Sequence, residues 1–253
     1  MPNVLLLGGT TEASMLARLL ATERIATTLS YAGRTENPLP QPVPVRIGGF
    51  GGTAGLVEYL HAHRITHLVD ATHPFAATMS AHAVEAARSA GIAHLALTRP
   101  AWTPVAGDCW IRAADLDSAV ATLSGPARRV MLALGRMHVE AFAAQPQHHY
   151  LLRFIDTPCR LPRLPRHSLV IERGPFSAEG DTALMQAHGI DLVVCKNAGG
   201  KGAEAKLIAA RRLGVPILMI DRPAVPERTE VNRPQDVLVW LNHDAAPNAD
   251  RGV

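Results

Sequence analysis

Lysine is the rarest charged residue of this sequence, which has 3 lysines against 22 arginines and 22 acidic residues in 253 positions. Arginine is planar and always charged and grips carboxylates or phosphates through two parallel hydrogen bonds, whereas lysine is a point charge whose pKa shifts readily on burial. Codon bias explains the ratio equally well. It does not explain position, because Lys196, Lys201 and Lys206 all lie in one short segment.

Cysteines and metal-binding motifs are also scarce. Cys109, Cys159 and Cys195 are odd in number and far apart. They offer neither a CxxC pair nor a disulfide framework, so we expect a reducing, cytoplasmic location. The 12 histidines show no HExxH or comparable spacing, so we predict no metal site.

Long apolar runs and aromatic residues are few. No apolar run approaches the ~18 residues of a membrane span. The N-terminus lacks a basic segment and its apolar run stops at Gly8, so we predict neither a membrane anchor nor a signal peptide. With 11 aromatic residues, few lysines and no recognised motif, nucleic-acid binding is disfavoured. The 47% hydrophobic and 19% charged content is typical of a globular protein.

Short apolar runs alternate with amphipathic helical patterns along almost the whole chain. This alternation predicts an α/β fold with parallel sheets covered on both faces. Strands are predicted at 4–7, 25–31, 43–47, 67–70, 93–97, 129–134, 150–155, 168–172, 191–195 and 216–220. Helices are predicted at 12–22, 54–61, 76–89, 177–188, 203–213 and 234–241.

The pattern loosens after Pro100, which suggests two Rossmann-like domains, 1–125 and 126–244, followed by a flexible tail, 245–253. Charge divides in the same way. Residues 1–125 carry 8 arginines and 9 acidic residues, whereas 126–253 carry 14 arginines, 3 lysines and 13 acidic residues. A solvated charged face accounts for part of this excess, but its clustering favours a surface that binds an anionic ligand.

A glycine-rich turn joins the first predicted strand to the first helix. Gly8, Gly9, Thr10 and Thr11 occupy the place where the pyrophosphate of a dinucleotide sits in Rossmann folds, against free N–H groups of a helix N-terminus. The spacing departs from G-x-G-x-x-G, so a plain tight turn, with Thr10 or Thr11 as the helix cap, is the alternative.

The second strand bears on the choice of cofactor. An NAD site usually has an acidic residue at its end, to hold the ribose 2′-hydroxyl. Here Ser30, Gly33 and Arg34 stand at this point and no acid occurs before Glu36. A hydroxyl and an arginine suit a 2′-phosphate, so NADP(H) is favoured; the alternative makes Arg34 an ordinary loop residue.

Two further loops follow predicted strands. The segment 48–53 has four glycines in five residues around Gly49 and Phe50, which implies close approach of backbone to a ligand. Thr72 and His73 follow the strand at 67–70, and we expect them to face the crevice near the nicotinamide. A structural or helix-capping histidine is the alternative for His73.

The lysines lie in a second glycine-rich loop. Lys196 ends a predicted strand and is a candidate proton donor if it is partly desolvated, while Lys201 and Lys206 are candidate anion ligands. No Ser or Thr follows Lys201, so this is not a Walker A loop. Further arginines near predicted strand ends are candidate substrate ligands, although each could equally form a surface ion pair: Arg99, Arg136, Arg153, Arg173 and Arg222.

These motifs together resemble the precorrin-6A reductase family of cobalamin biosynthesis, which includes the cobalt-precorrin-6A reductases. The resemblance rests on LLGGTTEA at 6–13, GGFGG at 48–52, DATHPFA at 70–76 with Met79 and Ser80, Arg99-Pro100-x-Trp102, RGPF at 173–176, Lys196 with the glycines at 199, 200 and 202, Lys206, and Arg222-Pro223. Asn197-Ala198 departs from the serine expected beside this glycine pair.

The resemblance implies NADPH-dependent reduction of one double bond in a tetrapyrrole macrocycle, converting precorrin-6A to precorrin-6B. It also implies two Rossmann-like domains with the macrocycle between them, and possible exchange of a strand between domains. The many carboxylates of such a substrate would account for the basic second half. Lys196 or His73 would supply a proton to the reduced bond, with solvent as a competitor.

Two other functions stay open from the residues alone. One is another NADP-linked oxidoreductase with a smaller anionic substrate, although the Tyr-x-x-x-Lys pair of short-chain dehydrogenases is absent. The other is a non-catalytic NADP(H) sensor, which would have no use for the basic second half. The sequence is compatible with a monomer.

Overall fold

The computed structural model describes residues 1–33, 40–158 and 160–244. The strands are β1 (Asn3–Leu7), β2 (Ala26–Tyr31), β3 (Val45–Ile47), β4 (His67–Asp70), β5 (Ala93–Leu97), β6 (Trp110–Ala113), β7 (Arg129–Ala133), β8 (His149–Phe154), β9 (His167–Ile171), β10 (Leu192–Lys196), β11 (Ile217–Ile220) and β12 (Glu230–Val231). The α-helices are α1 (Thr11–Thr22), α2 (Gly52–Ala62), α3 (Ala77–Ala90), α4 (Leu116–Thr122), α5 (Ala178–Ala187), α6 (Ala205–Leu213) and α7 (Pro234–Asp244). Two 3₁₀ helices span Arg136–Ala144 and Lys201–Ala203.

The strands form two six-stranded parallel sheets, which confirms the predicted α/β class. The first has the order β12-β5-β4-β1-β2-β3 and the second β6-β11-β10-β7-β8-β9. In the first sheet, β1 pairs with β2 on one side and with β4 on the other. In the second, β10 pairs with β7 and β11. Parallel pairing requires crossover connections, and α1, α2 and α3 supply them between β1 and β2, between β3 and β4, and between β4 and β5.

The continuous apolar run of β1 is explained by its two covered faces. Val4 and Leu6 belong to the core cluster that includes residues of α1 and α7. Leu5 and Leu7 belong to the cluster that includes residues of α2 and α3. Because successive side chains of a strand point to opposite faces, a strand covered on both faces must be apolar at every position.

The chain divides into two compact units, but not at the predicted place. One unit contains residues 1–99 together with the described residues from 224 onward, and the other contains 100–223. The single boundary predicted near residue 125 is therefore replaced by two. β6 pairs with β11 in the second sheet, so the residues from 100 onward belong to the second unit. β12 pairs with β5 in the first sheet, so the residues from 224 onward belong to the first unit.

The two strands behind this difference carry little sequence signal. β6 is a sheet-edge strand with mixed exposure, and β12 has only two residues. The return of β12 and α7 to the first unit agrees with the strand exchange that the family resemblance suggested. Among residues 1–33, 40–158 and 160–244, no helix is long and apolar enough to cross a membrane.

Candidate functional site

The first unit has a topological switch point between β1 and β4. From β1 the chain crosses to β2 on one side, while β4 and β5 lie on the other. In open α/β sheets a crevice forms outside the carboxyl ends of the strands at such a point, and ligands bind there. The loops that line it are 8–10 and 71–76, which contain four of the predicted cofactor contacts.

Thr10 joins these two loops. Its hydroxyl accepts a hydrogen bond from the Ala13 N–H at 3.1 Å, as the N-cap of α1, and donates one to the Ala71 carbonyl at 2.8 Å. The Thr10 side chain is thus used within the protein, in line with the capping alternative. The N–H groups at the start of α1 and the Gly8-Gly9 turn, with Gly9 at φ 123°, are what the turn offers to an anion.

Glu12, in the first turn of α1, places a negative charge beside this glycine turn. The predicted substrate ligand Arg99, just after β5, lies beside Glu12, with 3.2 Å between the Arg99 Nε and Glu12 Oε2 atoms. The contact is an ion pair without hydrogen-bond alignment, since Glu12 Oε2 has no hydrogen-bond partner among the described atoms. Arg99 therefore offsets the charge that would otherwise repel a phosphate from the helix N-terminus.

The Asp70 carboxylate, at the end of β4, fixes the second loop. One oxygen accepts from the Thr72 N–H at 3.0 Å and the Thr72 hydroxyl at 2.6 Å. The other accepts from the Ser80 hydroxyl at 2.6 Å and Arg228 Nη1 at 2.7 Å. Four donors occupy the four acceptor positions of a carboxylate, which makes Asp70 a scaffold residue rather than a proton shuttle.

Arg228 reaches Asp70 from the segment that leads into β12. The side chains are 7% and 1% exposed, so the ion pair is buried. Burial, together with the nearby Arg228 charge, lowers the pKa of neighbouring His94, against an opposing effect of Asp70. A neutral His94 leaves Arg228 as the cation that compensates the Asp70 charge. Sequence reasoning missed Arg228, because its partner is 158 residues away along the chain.

His73, the predicted catalytic histidine, stands in the same loop. Its Nδ1 accepts a hydrogen bond from the Phe75 N–H at 3.2 Å, which stabilises the turn before α3. An Nδ1 that accepts places the proton of a neutral imidazole on Nε2. The structural role suggested by the alternative interpretation is therefore present, and it is compatible with donation from Nε2.

A second cluster lies where β2 and β3 end. Ser30 and Arg46 stand opposite each other in register. The Arg46 guanidinium donates to Ser30 Oγ at 3.2 Å and to the carbonyls of Gly48 and Gly49 at 2.5 and 2.7 Å. It lies over the Phe50 ring, with 3.8 Å between guanidinium carbon and ring centroid. Arg46 was not predicted; β-strand register with Ser30 was the signal that would have identified it.

Arg46 keeps hydrogen-bonding capacity. Three of its five N–H groups are donated to these oxygens, and within the described residues no carboxylate forms an ion pair with it. Its hydrogen-bond partner Ser30 was a predicted cofactor contact, as was Gly33, and Ser30 is buried at 4% exposure. Arg34, predicted beside them, and Glu36 lie outside the described residues.

The glycine-rich loop 48–52 is held close to α2. A Cβ at Gly55 would lie 1.8 Å from the Phe50 carbonyl oxygen, so only glycine permits this approach. The loop thereby carries Gly49 and Phe50 beneath the Arg46 side chain, at the same end of the sheet as the Gly8-Gly9 turn. These residues could hold the adenosine end of a dinucleotide.

In the second unit, the loop after β10 is braced from both sides. The Asn197 side chain accepts from the Trp102 N–H at 2.8 Å and donates to the Trp102 carbonyl at 3.0 Å. Arg222 donates to the carbonyls of Asn197 and Ala198 at 2.9 and 3.1 Å. Gly199 has φ 70°, and a Cβ there would lie 2.1 Å from the Pro100 oxygen. Asn197, the departure from the family pattern, thus anchors the loop.

The predicted substrate ligands of this unit fall into two groups. Arg153, Arg222 and Lys206 are used inside the protein. Arg153 pairs with Asp181 and lies 3.7 Å from the Phe176 ring centroid, while Lys206 is 7% exposed and donates to the Ala203 carbonyl. Arg136, Arg173 and Lys201 are exposed. Arg173 pairs with Asp156 at 2.9 Å, whereas Arg136 and Lys201 form no ion pair with another residue of the described ranges.

Lys196, the predicted proton donor, is the last residue of β10 and is partly exposed. It stands in register with Ile220 at the carboxyl end of the second sheet. Throughout the described part of the chain, no three His, Cys, Asp or Glu side chains converge as a metal site would require.

Replacing Arg228 with methionine should lower the free energy of unfolding by about 3–5 kcal/mol, because it leaves the buried Asp70 charge uncompensated. Urea unfolding followed by circular dichroism measures this change. The matched control is Arg233→Met, which removes an arginine 76% exposed from its pair with Asp236 and should leave the midpoint nearly unchanged. Equal effects of the two substitutions would contradict the assigned role.

Comparison with known proteins agrees along the full length. A family model described as "Precorrin-6x reductase CbiJ/CobK" matches residues 3–242. The chain is 54% identical over 254 residues to a precorrin-6A reductase of Rhodobacter capsulatus, with 100% of both chains covered. It is 43% identical over 247 residues to a precorrin-6A reductase of Sinorhizobium, covering 97% of this chain and 95% of the relative.

A solved structure described as "CobK precorrin-6A reductase" has the same fold. It superposes with a TM-score of 0.91 at 52% identity and covers 98% of this chain and 100% of that one. The family model, the full-length relatives and the shared structure lead to one conclusion: the chain belongs to the precorrin-6x reductase (CbiJ/CobK) family.

Proposed function

We propose that this protein reduces one double bond of precorrin-6A with NADPH and gives precorrin-6B in cobalamin biosynthesis. The observation that carries the proposal is the full-length similarity to precorrin-6A reductases, at 54% identity over 254 residues. The parallel sheet of the first unit, with its glycine turn at a helix N-terminus, supports a nicotinamide cofactor. Nothing observed favours a different oxidoreductase or a sensor.

The pyrophosphate fits the start of α1. Gly8 and Gly9 would let backbone approach the phosphate oxygens, and the first N–H groups of α1, including that of Thr11, face out of the helix N-terminus. Thr10 contributes by holding this turn against Ala71. Arg99 contributes by compensating Glu12. These residues bind and orient the cofactor, which when bound supplies the hydride.

The choice of NADPH over NADH rests on Arg46 and Ser30. Arg46 retains its Nε–H and one Nη2–H after its three described hydrogen bonds. Ser30 Oγ accepts from Arg46, so its own proton can be donated. A phosphate needs such donors, whereas the 2′-hydroxyl of NADH is ordinarily held by a carboxylate. Arg34 is a second candidate for the same phosphate.

The carboxylates of the macrocycle would be held by the basic residues of the second unit. Arg136 and Lys201 are exposed, and Arg173 pairs with Asp156 at the surface of the described chain, so these three can reach a ligand without breaking a buried contact. Arg153, Arg222 and Lys206 hold the surrounding backbone and side chains in place instead. Lys196 or His73 would deliver the proton to the carbon next to the one that receives the hydride.

The activity is tested by absorbance at 340 nm, where NADPH oxidation should require precorrin-6A and should stop when one equivalent has been consumed. A deuterium label at C4 of the dihydronicotinamide should appear in the macrocycle. NADPH oxidation with small anionic carbonyl or imine compounds but not with precorrin-6A would favour another oxidoreductase. Cofactor binding without oxidation of NADPH would favour a sensor.

Arg46→Met should weaken NADPH binding about 10- to 100-fold, because a charged hydrogen-bond donor to phosphate is lost. NADH binding should change less than about twofold. Isothermal titration of the two cofactors measures the ratio. The matched control is Arg18→Met, on the exposed face of α1, which should change neither affinity. Equal losses for NADPH and NADH would contradict the 2′-phosphate role.

Lys196→Met tests the proton donor. If Lys196 protonates the macrocycle during reduction, single-turnover NADPH oxidation should slow by about 100-fold or more, with NADPH affinity unchanged. Stopped-flow absorbance at 340 nm gives the rate. An unchanged rate would exclude Lys196 and leave His73, tested by His73→Gln, and solvent as proton sources.

A further inference from the structure

The Thr72 hydroxyl donates its proton to a hydrogen bond within the protein. It lies 2.6 Å from one oxygen of the Asp70 carboxylate, and a carboxylate oxygen only accepts hydrogen bonds. The hydroxyl must therefore donate its single proton to Asp70. Thr72 Oγ1 keeps its lone pairs, so the Thr72 hydroxyl can act toward a ligand only as a hydrogen-bond acceptor.

The surroundings of Asp70 prevent the reverse hydrogen bond, in which Asp70 would donate a proton to the Thr72 hydroxyl. The same oxygen accepts from the Thr72 N–H, and the other oxygen accepts from Ser80 and from Arg228. Arg228 is always charged and, at 7% side-chain exposure, holds the carboxylate as a buried ion pair. Arg228 is thus a positioning residue, since it acts on Thr72 only through Asp70, whereas Ser80 adds a second donor to the oxygen that Arg228 already holds.

The lone pairs of Thr72 point to a ligand that donates. Thr72 is partly exposed, and within the described residues no group donates a hydrogen bond to its hydroxyl oxygen. The neighbouring Ala71 carbonyl is already occupied by Thr10. The Thr72 hydroxyl oxygen is therefore a fixed side-chain acceptor in the loop that lines the crevice beside β4.

We propose that Thr72 selects the carboxamide of the nicotinamide ring by accepting one of its N–H groups. The inference rests on the proposed function and deepens it. Thr72 follows β4, which lies on one side of β1. Arg46 and β2 lie on the other side of β1, and the adenosine would lie there. The carboxamide is the amide N–H donor of that end of the cofactor. Accepting it fixes which way the ring faces, and hence which hydrogen at C4 is presented.

The experiment measures binding of three oxidised cofactors by isothermal titration. NADP⁺ and its thionicotinamide analogue both carry an NH₂ group, whereas the 3-acetylpyridine analogue carries a methyl group in its place. Wild-type protein should bind the first two with similar affinity and the third about threefold to tenfold more weakly. Thr72→Val should bind all three alike, because NADP⁺ and the thio analogue lose affinity and the acetylpyridine analogue does not.

Two further variants separate this role from general loosening of the loop. Thr72→Ser keeps the hydroxyl and should retain the preference for NH₂. Ser80→Ala removes a donor from the other Asp70 oxygen, so it should lower the melting temperature while the ratio of affinities stays as in wild type. Equal weakening of all three cofactors by Thr72→Val, or a wild-type protein that does not distinguish them, would overturn the inference.

Failure of the proposed function gives a different result. If the protein bound none of the three cofactors, the nicotinamide assignment itself would fall and this inference with it. If NADP⁺ binds tightly but the Thr72→Val ratio is unchanged, only the carboxamide contact is wrong. The titrations need no macrocycle, so they are independent of the 340 nm assay.

Discussion

The buried ion pair between Asp70 and Arg228 is the constraint on which the first unit depends. Asp70 ends the strand next to the switch point, and Arg228 precedes a two-residue strand that completes the same sheet. Their bond ties the last segment of the chain to the loop that lines the crevice. Because either charge alone would be costly in this position, the return of the C-terminal segment to the first sheet stabilises the conformation of this loop.

The crevice is organised by groups that are already fully hydrogen-bonded. The Thr10 hydroxyl caps α1 and donates to the Ala71 carbonyl. The Asp70 carboxylate accepts four hydrogen bonds from three residues. Such groups cannot rearrange toward a ligand without losing bonds, so they hold the backbone N–H groups and the Thr72 oxygen in place. Preorganisation of this kind lets binding energy orient the cofactor instead of ordering the loop.

Arginine illustrates how one residue type serves two purposes in this protein. Arg228, Arg222 and Arg153 are scaffold residues whose forks satisfy carboxylates or carbonyls. Arg46 is held by hydroxyl and carbonyl oxygens and by an aromatic ring, so its positive charge has no described carboxylate to neutralise it. This difference in partners, rather than the number of arginines, distinguishes a residue that supports the fold from one suited to bind a phosphate.

Much of this could be predicted from the sequence, because the central strands are continuous apolar runs and the first turn is rich in glycine. The edge strands β6 and β12 were missed, since one is partly exposed and the other is very short. The ion-pair and hydrogen-bond partners of the arginines could not be predicted either. The sequence places Arg153 near a strand end, but only the fold shows that Asp181 neutralises it. Arg46 required strand register with Ser30, and Arg228 required a contact across 158 positions.

The central claim is that the first unit binds NADP(H), with its 2′-phosphate against Arg46. Phosphorus NMR of bound NADP⁺ across pH 5 to 8 tests this directly. The free 2′-phosphate loses its second proton with a pKa of about 6. A guanidinium contact favours the dianion, so the bound resonance should stay that of the dianion down to about pH 5, and in Arg46→Met the pKa of the bound phosphate should rise toward its free value. A bound 2′-phosphate that titrates near 6 in the wild-type protein would contradict the account.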